Sequence, residues 1–296
     1  MSAAAFLRPG SFAEALELRA ARPEAVAAAG CTDVLVELNF GRLHAESFID
    51  LTRVAELGTL GVEGGTVRIG AGVTYDALVR GAGRDVPALA AAARTVGSPP
   101  IRNRGTVGGN LASASPAGDC HPPLIACGAE VELASASASR TVPVERFFTG
   151  PKRSVLRPDE LVAAVWVPKA DGPQAFAKVG TRNAMVIAVC SLAVALRPSS
   201  LRVGTGIGSA GPVPLAAHAA EEHIGGHLEE AGAWETRAPL RPAAVERFAE
   251  LVAQAASPID DVRGRSGYRR HALQVLARRM LTWCWEEYRH EPRWAA

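Results

Sequence analysis

The segment Gly105-Thr106-Val107-Gly108-Gly109-Asn110-Leu111-Ala112-Ser113-Ala114-Ser115-Pro116-Ala117-Gly118-Asp119 sits inside a long polar, glycine-rich stretch over residues 97–119. No secondary structure is expected there. Loops of that length are uncommon inside compact domains, where they are functional or disordered. The adjacent glycines 108 and 109 permit unusual dihedrals and close approach of backbone to a ligand. Thr106, Asn110, Ser113 and Ser115 add hydroxyl and amide groups suited to phosphate and polyol oxygens. Asp119 opens an apolar, helix-like run. It can cap that helix or accept hydrogen bonds from ligand hydroxyls, and the two roles are compatible.

On the N-terminal side, Ser11 with Glu14 has capping-box spacing for a helix that Pro23 closes. A short strand over 25–29 runs into Ala29-Gly30-Cys31-Thr32-Asp33, followed by an apolar stretch over 34–40 and a strand over 47–51. This β-α-β order predicts a first lobe over 1–55 with a small parallel sheet. A small-residue turn between a strand and an apolar segment lets backbone N–H groups face outward, as anion sites require. Taken alone, those five residues fit a tight structural turn at least as well.

Residues 56–170 read as a second lobe, α+β on an antiparallel sheet. Helical pieces fall at 74–80 and 87–96, and strands at 66–69, 130–133, 140–144 and 160–167. A Pro/Gly/Asp cluster over 168–173 marks a linker. Beyond it, β-like runs at 175–179, 186–196 and 201–207 precede helices at 242–256 and 267–290, giving a smaller domain over 171–290.

Composition narrows the function. The 296 residues carry 32 basic and 30 acidic side chains, net +2, so no electrostatic footprint for nucleic acid is expected and no polybasic membrane patch. No apolar run approaches the ~20 residues of a membrane span, and residues 1–12 lack a signal-peptide pattern. Five scattered cysteines without a CxxC argue against disulfides and against a four-cysteine metal or iron–sulfur site. Reduced thiols in a cytoplasmic protein are the expectation.

Several patterns carry less than they offer. Gly206-Ile207-Gly208-Ser209-Ala210-Gly211 matches GxGxxG, but Pro212 and Pro214 stand where the phosphate-binding helix should start, so a strand end and turn are expected. His223 and His227 have helical ligand spacing, yet Gly225-Gly226 between them weaken any helix and no third ligand is evident; surface histidines are expected. Cys120 and Cys127 are expected to pack separately, and Trp283 and Trp285 to serve packing or subunit contact. The arginine-rich run over 263–270 reads as a solvated or capping face.

The run Gly105 to Leu111, with Ala114-Ser115-Pro116 and Asp119, resembles the second FAD loop of the flavin subunits of the molybdenum hydroxylases. That family includes xanthine dehydrogenase and carbon monoxide dehydrogenase relatives and has a PCMH-type FAD fold. Its first loop, Ala-Gly-Gly-Thr-Asp, is similar to Ala29-Gly30-Cys31-Thr32-Asp33. Lys178-Val179-Gly180-Thr181-Arg182 with Ile187-Ala188 resembles the start of its C-terminal flavoprotein domain. Asp260-Asp261-Val262-Arg263-Gly264-Arg265 with Tyr268-Arg269-Arg270 resembles its closing motif. Four blocks in order cover nearly the whole chain. The departures are Cys31 in place of a common glycine, Pro100 before Ile-Arg-Asn, and Cys120-His121 after Asp119.

The resemblance implies an α+β architecture: a two-lobed PCMH-type FAD-binding domain, then a smaller α+β domain with an antiparallel sheet and helices. It implies FAD as this chain's cofactor. The pyrophosphate falls to Ala29, Gly30, Cys31, Thr32, Asp33 and Val34 of the first loop and to Thr106, Gly108 and Gly109 of the second. Asn110, Ser115 and Asp119 take the adjoining polar portion, and Lys178 and Ile187 lie near the ring; a surface lysine is the other reading of Lys178. No catalytic acid–base residue and no metal ligand are expected here. The implied partners are a small subunit with two [2Fe-2S] clusters and a large molybdopterin subunit, in a hetero-oligomer, with NAD or another oxidant as final acceptor. The runs Glu37-Leu38-Asn39-Phe40 and Asp50-Leu51-Thr52-Arg53 lean toward the xanthine dehydrogenase type. Two rivals stand beside this: a self-contained PCMH-type flavin oxidoreductase, kept open by His121, and a scaffold that has lost FAD.

Overall fold

Ser11 starts the first helix by accepting a hydrogen bond from the Glu14 N–H, while the Glu14 carboxylate reaches back to the Gly10 N–H at 2.7 Å. The computed structural model describes residues 4–291; of the segment 1–12 read above for a leader, residues 1–3 lie outside them. The helix, α1 (Phe12–Ala21), follows a short strand, β1 (Ala5–Leu7). Next come β2 (Val26–Ala28), α2 (Val34–Asn39) and β3 (Ser47–Asp50). The three strands form a parallel sheet in the order β1-β3-β2. At three residues β1 is too short to show alternation, which is why sequence patterning misses it.

The second lobe opens with β4 (Leu60–Glu63), β5 (Thr66–Gly70), α3 (Tyr75–Gly81) and α4 (Pro87–Thr95). The stretch over 97–119 is not structureless: it holds α5 (Pro99–Arg102) and α6 (Val107–Ser113). Adjacent glycines gave α6 almost no propensity. Thr106 starts it by accepting from the Gly109 N–H at 3.0 Å, and packing does the rest. Then follow α7 (His121–Ala126), β6 (Glu130–Ala134), β7 (Ser139–Pro143), the small hairpin β8 (Phe148–Gly150) and β9 (Arg153–Ser154), and β10 (Leu161–Pro168). The antiparallel sheet runs β4-β5-β10-β6-β7, with the most apolar strand, β10, at its centre.

The third sheet is antiparallel, in the order β11 (Gln174–Val179), β12 (Cys190–Arg197), β13 (Arg202–Gly208). After it come α8 (His218–Glu230), α9 (Ala233–Thr236), α10 (Pro242–Ala255) and α11 (Ser266–His290). Strand β12 is buried on both faces. Ala193 and Ala195 join the core that holds Leu124, Leu133 and Val165. Cys190, Leu192, Val194 and Leu196 join the core that holds Phe248, Leu273 and Trp285. Strand residues alternate between faces, so one strand separates two cores.

The GxGxxG match finds its explanation here. It lies at the end of β13 and the turn that follows. A Cβ on Gly206 would overlap the Pro122 carbonyl oxygen, and one on Gly208 the Ser191 hydroxyl oxygen and the Pro122 ring. These glycines admit α7 against the strand.

Three expectations need correction. Helix α8 runs straight through Gly225-Gly226, because Ala220, Ile224 and Leu228 bury one face at i, i+4, i+8 spacing. His223 and His227 on it are half-buried; the His223 ring pairs with the Ala244 carbonyl at 3.2 Å, and the described residues contain no group of three candidate metal ligands. Arg269, read as solvated, is 3% exposed: it donates to the Ser209 carbonyl at 2.7 Å and pairs with Asp261. Cys120 and Cys127 are buried, free thiols. Trp285 is buried in the C-terminal core, whereas Trp283 is exposed. No helix among the described residues is long and apolar enough to cross a membrane.

Candidate functional site

Two loops meet at close quarters. A Cβ on Gly30 would overlap the Arg104 carbonyl oxygen, so the first loop can cross the second only with glycine at that position. Its neighbour Cys31 has φ of 60°, the left-handed region, and its thiol is held near the Ala29 carbonyl at 3.6 Å. Burial raises the thiol's pKa, so no reactive thiolate is prepared there. The second loop is stitched to residues 71–75: Gly108 N–H donates to the Ala71 carbonyl, Val107 N–H to Val73 and Tyr75 N–H to Gly105, at 3.0 to 3.1 Å.

This stitching gives the two adjacent glycines different jobs. Gly108 is buried, and a Cβ there would overlap Ala71. Gly109 is exposed, and a Cβ there would meet only the Thr106 hydroxyl oxygen, at 2.9 Å. Gly108 is packed against Ala71 and borders only the first of the cavities along the loops, while the exposed Gly109 borders the first and the second.

Three cavities follow one another along the loops. The first, about 320 Å³, is largely apolar, with Leu51, Leu57, Gly72, Leu161 and Val162 in its walls. The second, about 200 Å³, is bordered by Ala29 to Val34, Thr106, Gly109, Asn110 and Ser113. The third, about 380 Å³, has Asp33, Asn110, Ser115, Asp119 and Ile187 in its walls. Ala29, Gly109 and Ala112 are shared by the first two, and Asp33 and Asn110 by the second and third, so the cavities form one groove. Sequence reasoning did not single out Tyr75, Leu161 or Val162, each of which contributes a wall. Their apolar character marks them only as core, and nothing local says which core residues stop at a cavity.

Lys178 is no surface residue. Its ammonium uses three donors inward: Asp119 Oδ2 at 2.6 Å, and the Thr95 and Val186 carbonyls at 3.1 Å each. The Lys178 side chain is 8% exposed and that of Asp119 10%. Asp119 does not cap α7; Cys120 stands at that position and makes no side-chain cap bond. Burial raises the Asp119 pKa and the Lys178 charge opposes that rise. The second oxygen, Asp119 Oδ1, is buried without a partner, as is Asn110 Oδ1. Two orphaned acceptors on residues of one cavity wall call for donors from a ligand. Ser115 Oγ accepts from the Ala117 N–H at 3.3 Å, and Ile187, 55% exposed, sits at the cavity mouth.

His121 is fully buried and outside the groove. Its Nε2–H donates to the Asn110 carbonyl at 3.1 Å and its ring lies 4.5 Å from that of Phe148. Burial pushes its pKa down to about 4. It fixes the C-terminal end of α6 and offers no general base to a bound molecule, which removes the feature that kept the self-contained enzyme open.

Comparison with known proteins accords with this geometry. A family model described as the FAD binding domain in molybdopterin dehydrogenase matches residues 2–170, and one described as the CO dehydrogenase flavoprotein C-terminal domain matches residues 175–284. The chain is 31% identical to the xanthine dehydrogenase FAD-binding subunit of Escherichia coli O157:H7, across 94% of this chain and 95% of that protein. It is 30% identical to the nicotine 6-hydroxylase medium subunit of Paenarthrobacter nicotinovorans, across 93% and 95%. Among solved structures it is similar to carbon monoxide dehydrogenase from Hydrogenophaga pseudoflava, with a TM-score of 0.85 and 27% identity, over 96% of this chain and 98% of that one.

Proposed function

The chain belongs to the family of FAD-binding subunits of the molybdopterin dehydrogenases, oxidoreductase complexes, and from that premise we propose that it holds FAD along the three-cavity groove and serves as the electron outlet of such a complex. The observation that carries this is the pair of buried, unpartnered oxygens, Asn110 Oδ1 and Asp119 Oδ1, beside the largest of the three cavities.

In this reading the apolar first cavity takes the adenine and the second the pyrophosphate. Thr32, Thr106 and Gly109 stand at the pyrophosphate, with the left-handed turn at Cys31 presenting the first loop's backbone. Ala29, Gly30, Asp33 and Val34 complete the wall, and Gly108 seats α6 on Ala71 at the edge of the first cavity. Asn110, Ser115 and Asp119 meet the polar portion next to the ring, with Ile187 against the ring itself. Lys178 acts through Asp119, holding its carboxylate ionised and aimed. The FAD-binding part would then comprise 1–170, in lobes of 1–55 and 56–170, and the C-terminal flavoprotein part 171–290.

Bound FAD would supply two-electron redox chemistry that can also proceed in single-electron steps. The protein's own task is to hold it, exclude water from its polar edge and place it beside partners. Those partners are a small subunit with [2Fe-2S] clusters and a large molybdopterin subunit, with NAD or another oxidant as acceptor and a cytoplasmic location; the relatedness to xanthine dehydrogenase subunits favours that type of complex.

The test is an absorbance spectrum of the purified chain after incubation with FAD and removal of the excess. Retained flavin near one per chain, lost on Gly109→Leu, supports the assignment. A folded chain that retains none, alone and in the co-expressed complex, favours a scaffold without FAD.

A further inference from the structure

Next to the third cavity, across a wall of Gly97-Ser98 and Met185-Val186, lies a further cavity of about 470 Å³ between α4, α5 and the turn leading out of β11. Arg94, Arg102, Arg182 and Lys178 all border it, and none of its described lining residues is acidic. The Lys178 charge is answered by Asp119. Three guanidiniums remain, and no carboxylate in this wall balances them.

Their heads are partly fixed. Arg102 Nη1 donates to the Val96 and Gly97 carbonyls at 3.1 Å, and Arg182 donates through Nε and Nη2 to the Met185 carbonyl. A guanidinium has five N–H donors, so each keeps unused donors, and anchoring reduces the entropy lost when they engage a ligand. Arg94, in the last turn of α4, has no hydrogen bond or ion pair among the described residues. Three arginines thus border one space of ligand size with no acidic residue in its wall, and Ser98 and Asn183 add neutral polar groups.

We propose that this cavity is an anion site that holds the phosphate groups of a soluble electron acceptor beside the flavin groove. Forked, planar donors match phosphate oxygens, whereas an uncharged acceptor such as a quinone gains nothing from three cations. The role of the anion as part of the acceptor rests on the flavin reading above; the anion site itself does not.

The experiment titrates inorganic pyrophosphate into the full chain, with and without FAD, by calorimetry at low ionic strength. It is repeated on Arg94→Ala/Arg182→Ala and on Gly109→Leu, with thermal melts to verify folding. Saturable binding is expected, unchanged by Gly109→Leu and weakened about tenfold in the double arginine variant, since two exposed charge contacts are lost. Absence of binding, or binding indifferent to the arginines, overturns the site. Binding lost only in Gly109→Leu places the anion in the flavin groove and overturns it equally.

In the assembled complex, the double variant should raise the KM for NAD⁺ several-fold and leave that for a neutral quinone unchanged. Equal effects on both overturn the acceptor role. Pyrophosphate that binds the isolated chain but not the complex means that a partner subunit covers the cavity, which also overturns it. If neither the chain nor the assembled complex retains FAD, the flavin reading fails while the titration still decides the anion site.

Discussion

Lys178 on β11 and Asp119, the second residue before α7, form a buried ion pair with Nζ 2.6 Å from Oδ2, joining the C-terminal sheet to the end of the glycine-rich loop. The two residues are 59 positions apart, and each stands in a different family-matched segment. The pair ties the spacing of those segments to the geometry of the third cavity.

Asp119→Ala should therefore lower stability by about 3–5 kcal/mol, because it leaves a buried ammonium with two carbonyls and no counter-charge. Asp119→Leu with Lys178→Met should recover most of that loss. Urea denaturation of Asp119→Leu, Lys178→Met and the double variant measures it; additive losses would show that the two side chains do not depend on each other.

Cys31 bears a side chain in the left-handed region, which costs an L-residue roughly 1–2 kcal/mol. Cys31→Gly should leave flavin retention intact and stability equal or higher, the relief being offset in part by unfolded-chain entropy. Cys31→Val, whose branched side chain fits that region poorly, should lose about 1–2 kcal/mol and bind FAD more weakly. Melting temperature and flavin content of the purified variants, compared side by side, test both statements.

The neighbouring glycines should fail differently. Gly108→Ala collides with Ala71 inside the core and should reduce folded yield by about 1–3 kcal/mol of stability. Gly109→Leu should melt near the parent temperature while losing flavin, since its side chain enters the groove. The reverse pattern would place the ligand on the other side of α6.

Acid stability should report on His121. Its folded pKa is about 4 against 6.5 for the free side chain, so between those values the unfolded chain takes up a proton that the folded chain refuses. Stability is then full above pH 6.5 and falls as pH drops toward 4, by about 3 kcal/mol in all. His121→Gln keeps an N–H for the Asn110 carbonyl and should flatten that slope. Asp119, whose pKa burial raises, titrates in the opposite sense in both proteins and cancels from the comparison. An unchanged slope in the variant rejects the assignment to His121.

Much of this was legible in the chain. Ser11–Glu14 predicted the first helix, alternation predicted β5, strands were also expected at β6 and β10, and the loop residues around Gly30 and Gly109 stood out by composition. The misses share a cause. Helix α6 and the middle of α8 are glycine-containing helices whose stability comes from one buried face, against propensity. Arg269 looked solvated because its partners, Ser209 and Asp261, are brought to it only by the fold.

By itself, the sequence determined where backbone must turn, which runs could form strands and helices, and which loops carried groups fit for a phosphate-bearing cofactor. These follow from dihedral preferences and short-range periodicity, which depend on neighbours along the chain. Only the tertiary structure decided that Gly108 is packed against Ala71 while Gly109 is exposed to the groove, that Lys178 answers Asp119, and that Gly206 and Gly208 of the GxGxxG match sit against a helix. It alone brought Arg94, Arg102 and Arg182 around one cavity. Burial and charge pairing are set by distances in space between residues remote in the chain, and no local preference encodes those distances.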